Sequence, residues 1–140
     1  VVADFISGAT EWLTPPNDDD HWDVVEGQGS LFHASYAGVS LGLLHGAQAD
    51  ALVLCHEPTR THMRGLPQAP IPDLKACIEL NEACAQLTRP GSRCVGVSIN
   101  TAALDDAAAQ ELLSSTSDAL GLPTVDAYRF GAGPLVDALG

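Results

Sequence analysis

Two runs, ADALVLC at 49–55 and RCVGVSIN at 93–100, most tightly limit what this chain folds into. Both read as strands, and ADALVLC is almost continuously apolar, the pattern of one covered on both faces. Between them, LKACIELNEACAQL at 74–87 repeats its apolar positions at helical spacing, with Asp73 ahead of it as a side-chain cap. Strand, helix, strand in that order predicts parallel pairing, because parallel neighbours need a crossover and a helix supplies it.

The flanking segments extend the pattern. VVADFISGATEWL places Val2, Phe5, Ile6, Ala9 and Trp12 or Leu13 at helical spacing, and TPPNDDD breaks it with a solvated turn. WDVVE at 22–26 reads as a short strand ended by the turn GQGS, and residues 35–45 read as a helix closed by Gly46. Residues 57–72, with Pro58, Gly65, Pro67, Pro70 and Pro72, read as a long loop. After the second apolar run, Asp105 or Asp106 opens a helix that stops at Gly121. PTVDAYR gives a short last strand and GPLVDALG a terminal helical turn. The expectation is one α/β domain over 1–140, with a mostly parallel sheet of four strands and helices on both faces.

Composition excludes several function classes. Six Lys and Arg stand against eighteen Asp and Glu, a formal net charge of −12. Phosphate backbones and anionic lipid surfaces both require a basic stripe, so nucleic acid and membrane partners are not expected. No apolar stretch approaches the roughly 20 residues that cross a bilayer, and the opening VVADFISGATEWL has no basic leader region. Cys55, Cys77, Cys84 and Cys94 show no zinc-ligand spacing and read as buried, reduced thiols of a cytoplasmic protein. The sole Met is Met63, so the chain reads as part of something longer.

In open α/β sheets, ligands bind beyond the carboxyl ends of the strands. Three such ends carry polar residues. At the first, Glu26 precedes Gly27, Gly29 and Ser30; glycines admit close approach of an anion to free backbone N–H groups, and Glu26 is a candidate base, against an ordinary glycine turn. At the second, CHEPTRTHMRG gathers His56, Thr59, Arg60, Thr61, His62 and Arg64 in a chain poor in cations. Arginine grips carboxylates through paired hydrogen bonds, and histidine exchanges protons near neutral pH. The plainer reading is a set of surface charges balancing acidic neighbours. At the third, Asn100 either reads a base edge or caps a turn. His45 reads as a capping or packing residue, His33 stays undecided, and His21 with Asp18, Asp19 and Asp20 reads as solvated loop. No metal site is expected.

HWDVVEGQGSLFHASYAGVSLGLLHGAQADALVLCHEPTRTHMRG, followed by CIELNEACA, VGVSINT and GLPTVDAYRFGAGPLVDAL, resembles the carboxyl-terminal domain of the D-glutamate N-acetyltransferase family, formerly a family of unknown function. The resemblance spans nearly the whole chain. It implies a two-domain protein in which a Rossmann-like domain precedes a P-loop-like domain distantly similar to dethiobiotin synthetase, whose VEGxGG turn looks like VEGQGS here. G-x-x-x-x-G-K-[ST] is absent from these residues, so the phosphate cradle is expected in the missing amino-terminal portion. The implied reaction moves acetyl from acetyl-CoA to the amine of D-glutamate. Arg60 and Arg64, with Thr59 and Thr61, would hold the substrate; Glu26, His56 or His62 would take the proton. Gly27, Gly29 and Ser30 would face a phosphate or oxyanion, and Asn100 would touch the coenzyme. A cytoplasmic homo-oligomer is expected. Alternatives are an ATP-dependent ligase or kinase-like enzyme, with Glu26 assisting Mg2+, and a non-catalytic assembly domain.

Overall fold

The computed structural model describes residues 3–140, so Val2 of the expected first helix lies outside the described residues. Its elements in chain order are α1 (Ile6–Leu13), α2 (Ala37–Ala47), β1 (Ala51–His56), β2 (His62–Met63), β3 (Leu66–Pro70), α3 (Leu74–Ala85), β4 (Arg93–Ile99), α4 (Asp106–Leu120), β5 (Thr124–Val125) and α5 (Gly133–Asp137). They fall into two compact units: residues up to Asp50 together with Glu79–Ser92, and Ala51–Ile78 together with Arg93–Gly140.

In the first unit, α1 lies against α2 through two glycines. A Cβ at Gly42 would sit 2.6 Å from Ile6 Cγ2, and one at Gly46 would sit 2.3 Å from the backbone oxygen of Ser7. Gly46 is therefore a contact residue inside α2 and not its stop; the helix ends at Gln48, which takes the left-handed conformation at φ 48°. The first unit is also tied by Arg89, whose Nε donates to Asp50 Oδ1 at 2.8 Å. WDVVE departs from expectation. It pairs with no strand among the described residues, and Val24 is 95 % exposed. The run has strand-like residues, but extended backbone is stabilised only when another strand takes up its hydrogen bonds.

The second unit carries a parallel three-stranded sheet in the order β1-β4-β5. Register places Leu54 beside Val97 and His56 beside Ile99, while Ser98 pairs with Val125. Val97 and Ile99 are fully buried on one face, against Leu113, Leu112 and Leu120 of α4, Ile78 of α3 and Leu54. On the other face Leu135 of α5 closes on Gly96, where a Cβ would meet Leu135 Cδ2 at 2.3 Å. Helices thus flank both faces of a parallel sheet, an α/β fold. Asp73 accepts from the Ala76 N–H at 3.1 Å, and Asp105 caps α4 by accepting from the Ala108 N–H at 2.9 Å. Gly121 ends α4 at φ 66°.

Three expectations are corrected here. β1 is covered on one face only: Val53 and Cys55 are exposed, because α5 reaches β4 and β5 and leaves the outer strand open. Cys55 is consequently not a buried thiol, whereas Cys77 and Cys94 are buried and Cys84 is half-buried. The expected loop at 57–72 contains an antiparallel hairpin, β2 with β3, pairing His62 with Pro70 and Met63 with Leu66. Proline lacks a ladder donor, so Pro67 and Pro70 argue against a strand in sequence, yet an edge position tolerates them.

The glycine contacts give a contrast within one helix. Gly46→Ala should destabilise the chain by about 2 kcal/mol through overpacking. Gly38→Ala, with nothing within 4 Å of its added methyl, should stabilise it by roughly 0.5 kcal/mol through lower chain entropy. Chemical denaturation of both variants checks the pair.

Candidate functional site

The carboxyl ends of β1, β4 and β5 converge on a cleft of about 500 Å³ in the second unit. β1 contributes Cys55 and His56. β4 contributes Ser98 and Ile99 and runs on into Asn100 and Ala102, and β5 runs on into Asp126, Ala127, Tyr128 and Arg129. The strand ends stay in register past the sheet, since Asn100 N–H donates to His56 O at 2.9 Å.

One carboxylate organises this rim. Asp126 is only 4 % exposed and accepts from Thr101 N–H at 2.9 Å and Thr101 Oγ1 at 2.6 Å through Oδ2. Its Oδ1 accepts from the N–H groups of Tyr128 and Arg129, each at 3.1 Å. Desolvation pushes its pKa up, but the bonds donated by the Thr101 hydroxyl and backbone, then by Arg129 and Tyr128, outweigh that and hold it below the usual carboxylate range. Arg129 completes the network: Nη1 donates to Thr101 O at 2.8 Å and Leu104 O at 3.1 Å, and Nη2 pairs with Asp106.

His56 and Asn100 therefore share one cleft. Burial lowers the His56 pKa, opposed in part by the charge of Glu57, so the imidazole is neutral at pH 7 and able to accept a proton. Asn100 Oδ1 accepts from Ala102 N–H at 3.1 Å. That is the turn-capping role, and it leaves the amide NH2 as donor.

Thr59, Arg60, Thr61, His62 and Arg64 line a second concavity with Gly65, about 380 Å³, on the hairpin that leaves the end of β1. Glu57 accepts from Thr59 N–H at 2.9 Å, from the Thr59 hydroxyl, and from Arg60 Nε at 3.0 Å. The Thr59 hydroxyl and N–H, then Arg60, hold the Glu57 carboxyl below its ordinary range, so it stays charged. Arg60 is thus partly neutralised, but its two Nη atoms carry four further N–H donors. His62 Nδ1 lies 3.2 Å from Thr61 Oγ1.

Glu26, Gly27, Gly29 and Ser30 belong to the first unit. Gly29 takes φ 41°, with Tyr36 Cβ 2.9 Å from where a Cβ would stand, so this turn excludes larger residues. Ser30 Oγ accepts from Phe32 N–H at 3.2 Å. In the same unit, buried His33 accepts from Ser35 N–H through Nδ1 at 3.1 Å, and its ring contacts Tyr36. His21 pairs with Asp23 at 3.3 Å. No group of three His, Cys, Asp or Glu suited to a metal ion occurs among the described residues, and no helix there is long and apolar enough to cross a membrane.

Sequence reading missed Glu57, Thr101, Asp126, Tyr128 and Arg129. The signal was present: PTVDAYR is a strand followed at once by polar residues, the same rule that singled out Glu26, His56 and Asn100. Asp126→Asn should lower stability by about 2 kcal/mol near neutral pH, because a charged acceptor is lost from buried donors. A depressed folded pKa contributes stability above the unfolded aspartate range that is lost as pH falls through the folded value. The gap between wild type and variant should therefore close below about pH 4, as urea unfolding across pH would show.

Known proteins match this architecture over nearly its whole length. A D-glutamate N-acetyltransferase of Tritonibacter scottomollicae is 55 % identical over 139 residues, covering 99 % of this chain and 42 % of that protein. One from a Pseudoalteromonas species is 51 % identical over 136 residues, covering 97 % and 41 %. The crystal structure of a DUF1611 family protein from Anabaena variabilis superposes with a TM-score of 0.89 at 38 % identity, covering 99 % of this chain and 41 % of that one. The chain spans about two fifths of the length of these relatives. Residues 1–136 match the domain described as "Domain of unknown function (DUF1611_C) P-loop domain", and the chain belongs to the DUF1611 family.

Proposed function

We propose that these residues are the carboxyl-terminal part of a two-domain enzyme that transfers acetyl from acetyl-CoA to the amine of D-glutamate. The carrying observation is the continuity of β1: it delivers a neutral His56 to the strand-end cleft and then runs into a hairpin that presents Arg60 and Arg64. The names of two relatives above 50 % identity support the same reaction. The family's description as a P-loop domain favours, as a second reading, an enzyme that spends ATP.

In the proposed reaction the arginines hold the two carboxylates of D-glutamate, with Thr59 and Thr61 as hydroxyl donors. His56 accepts a proton from the ammonium, and the freed nitrogen lone pair attacks the thioester carbonyl. Collapse of the tetrahedral adduct breaks the C–S bond, the thiolate of coenzyme A leaves with the proton that His56 returns, and the second proton of the attacking nitrogen passes to water. Among the three expected bases, His56 is preferred over His62 and Glu26 because it alone of them lines the strand-end cleft. Asn100 contacts the coenzyme from the same cleft. Gly27, Gly29 and Ser30 are the first unit's candidate anion seat. The full-length enzyme is a cytoplasmic homo-oligomer in this account.

Full-length protein given acetyl-CoA and D-glutamate without ATP should release free thiol; thiol release only when ATP is supplied would favour the second reading. Arg60→Ala and Arg64→Ala should each raise KM for D-glutamate at least tenfold. Melting temperature should stay near wild type, because exposed ion pairs such as Arg60–Glu57 contribute little to stability. His56→Gln should cut kcat by roughly 10²–10⁴. It should also remove an acid limb that in wild type lies below pH 6.5, the ordinary histidine value from which burial lowers His56.

A further inference from the structure

We propose that Tyr128 is a stacking platform for a flat, nitrogen-containing aromatic ring, the base end of the acyl donor, and that Asp126 is the residue that positions it. The inference rests on reading the cleft as the donor's site.

Tyr128 combines two properties that seldom meet. The residue is 99 % exposed, although it lines the cleft. Its backbone is held firmly: the Tyr128 N–H donates to the buried Asp126 carboxylate, as does that of Arg129, and the Arg129 guanidinium anchors the loop to Thr101 and Leu104. A mobile loop would make an exposed aromatic ring unremarkable. Here the backbone beneath the ring is fixed at the mouth of a concave site, so only the side-chain torsions are ordered when a ligand covers it.

The rest of the cleft defines what would cover it. Ala102 and Ala127 supply apolar wall, and the Asn100 amide NH2 supplies donors, its oxygen being occupied by Ala102 N–H. A purely aliphatic group leaves the amide unpaired, and an anion gains nothing from a ring face. A flat heteroaromatic ring uses both, its face on Tyr128 and its ring-nitrogen acceptors on Asn100. Asp126 acts on both walls together, because Thr101, which it binds through N–H and hydroxyl, directly follows Asn100.

Calorimetric titration of the full-length protein with two probes tests this: ADP, which carries the base end of coenzyme A, and 4′-phosphopantetheine, which carries only the thiol arm. Tyr128→Ala should weaken ADP binding about tenfold and leave phosphopantetheine binding and melting temperature unchanged, since the exposed ring has no buried contacts to lose. Tyr128→Phe should restore ADP binding to within about twofold, because stacking needs the ring and not the hydroxyl. Asp126→Asn should weaken ADP selectively in the same way, and Thr101→Val, which deletes one hydroxyl donor and folds more safely, should do so to a smaller degree. ADP binding that is absent in wild type, indifferent to Tyr128→Ala, or lost together with phosphopantetheine binding would overturn the proposal. Selective loss of ADP in a protein that releases no thiol from acetyl-CoA would uphold the platform and remove the acetyl-transfer reading.

Discussion

The carboxylate of Asp126 is the constraint on which the strand-end cleft depends. Burying a charge is unfavourable unless donors replace the lost water. Here the Thr101 hydroxyl and three backbone N–H groups do so. The same bonds tie the segment after β4 to the segment after β5, so one interaction stabilises the fold and shapes its rim. Without it, the link between the two segments would fall to the Arg129 guanidinium, on Thr101, Leu104 and Asp106.

The second organising fact is electrostatic. The chain carries a formal charge of −12, a field that repels a dicarboxylate at long range. In the proposed reading, holding one takes a local reversal of sign, for which Arg60 and Arg64 are the cationic groups on the segment after β1. Glu57 moderates that reversal. Its paired carboxylate fixes Arg60 in direction while cancelling part of its charge. On that proposed reading, the pairing orients the guanidinium and lets geometry add to attraction in selecting the ligand.

How much of this was legible in sequence depended on whether local residues or distant partners decided the outcome. β1, β4, α3 and α4 were readable because apolar runs, Asp73, Asp105 and Gly121 carry their own instructions. WDVVE was misread because its strand-like residues lack a partner among the described residues. Gly46 was misread because a helix-stopping residue and a close-contact residue look alike until Ser7 and Thr10 are seen against it. The hairpin was hidden by prolines that an edge strand accommodates. At the site, His56 and Asn100 stood out by position at strand ends. The Asp126 network did not, since its acceptor and its Thr101 donors are 25 residues apart in the chain.

The most direct test of the account follows the bond it says is made. Full-length protein, acetyl-CoA labelled with 13C at the carbonyl, and 15N-labelled D-glutamate, mixed without any nucleotide triphosphate, should give a product whose carbonyl carbon is split by direct coupling to nitrogen in the NMR spectrum. Unsplit acetyl carbon throughout, with the coupled amide arising only once ATP is added and consumed, would contradict it.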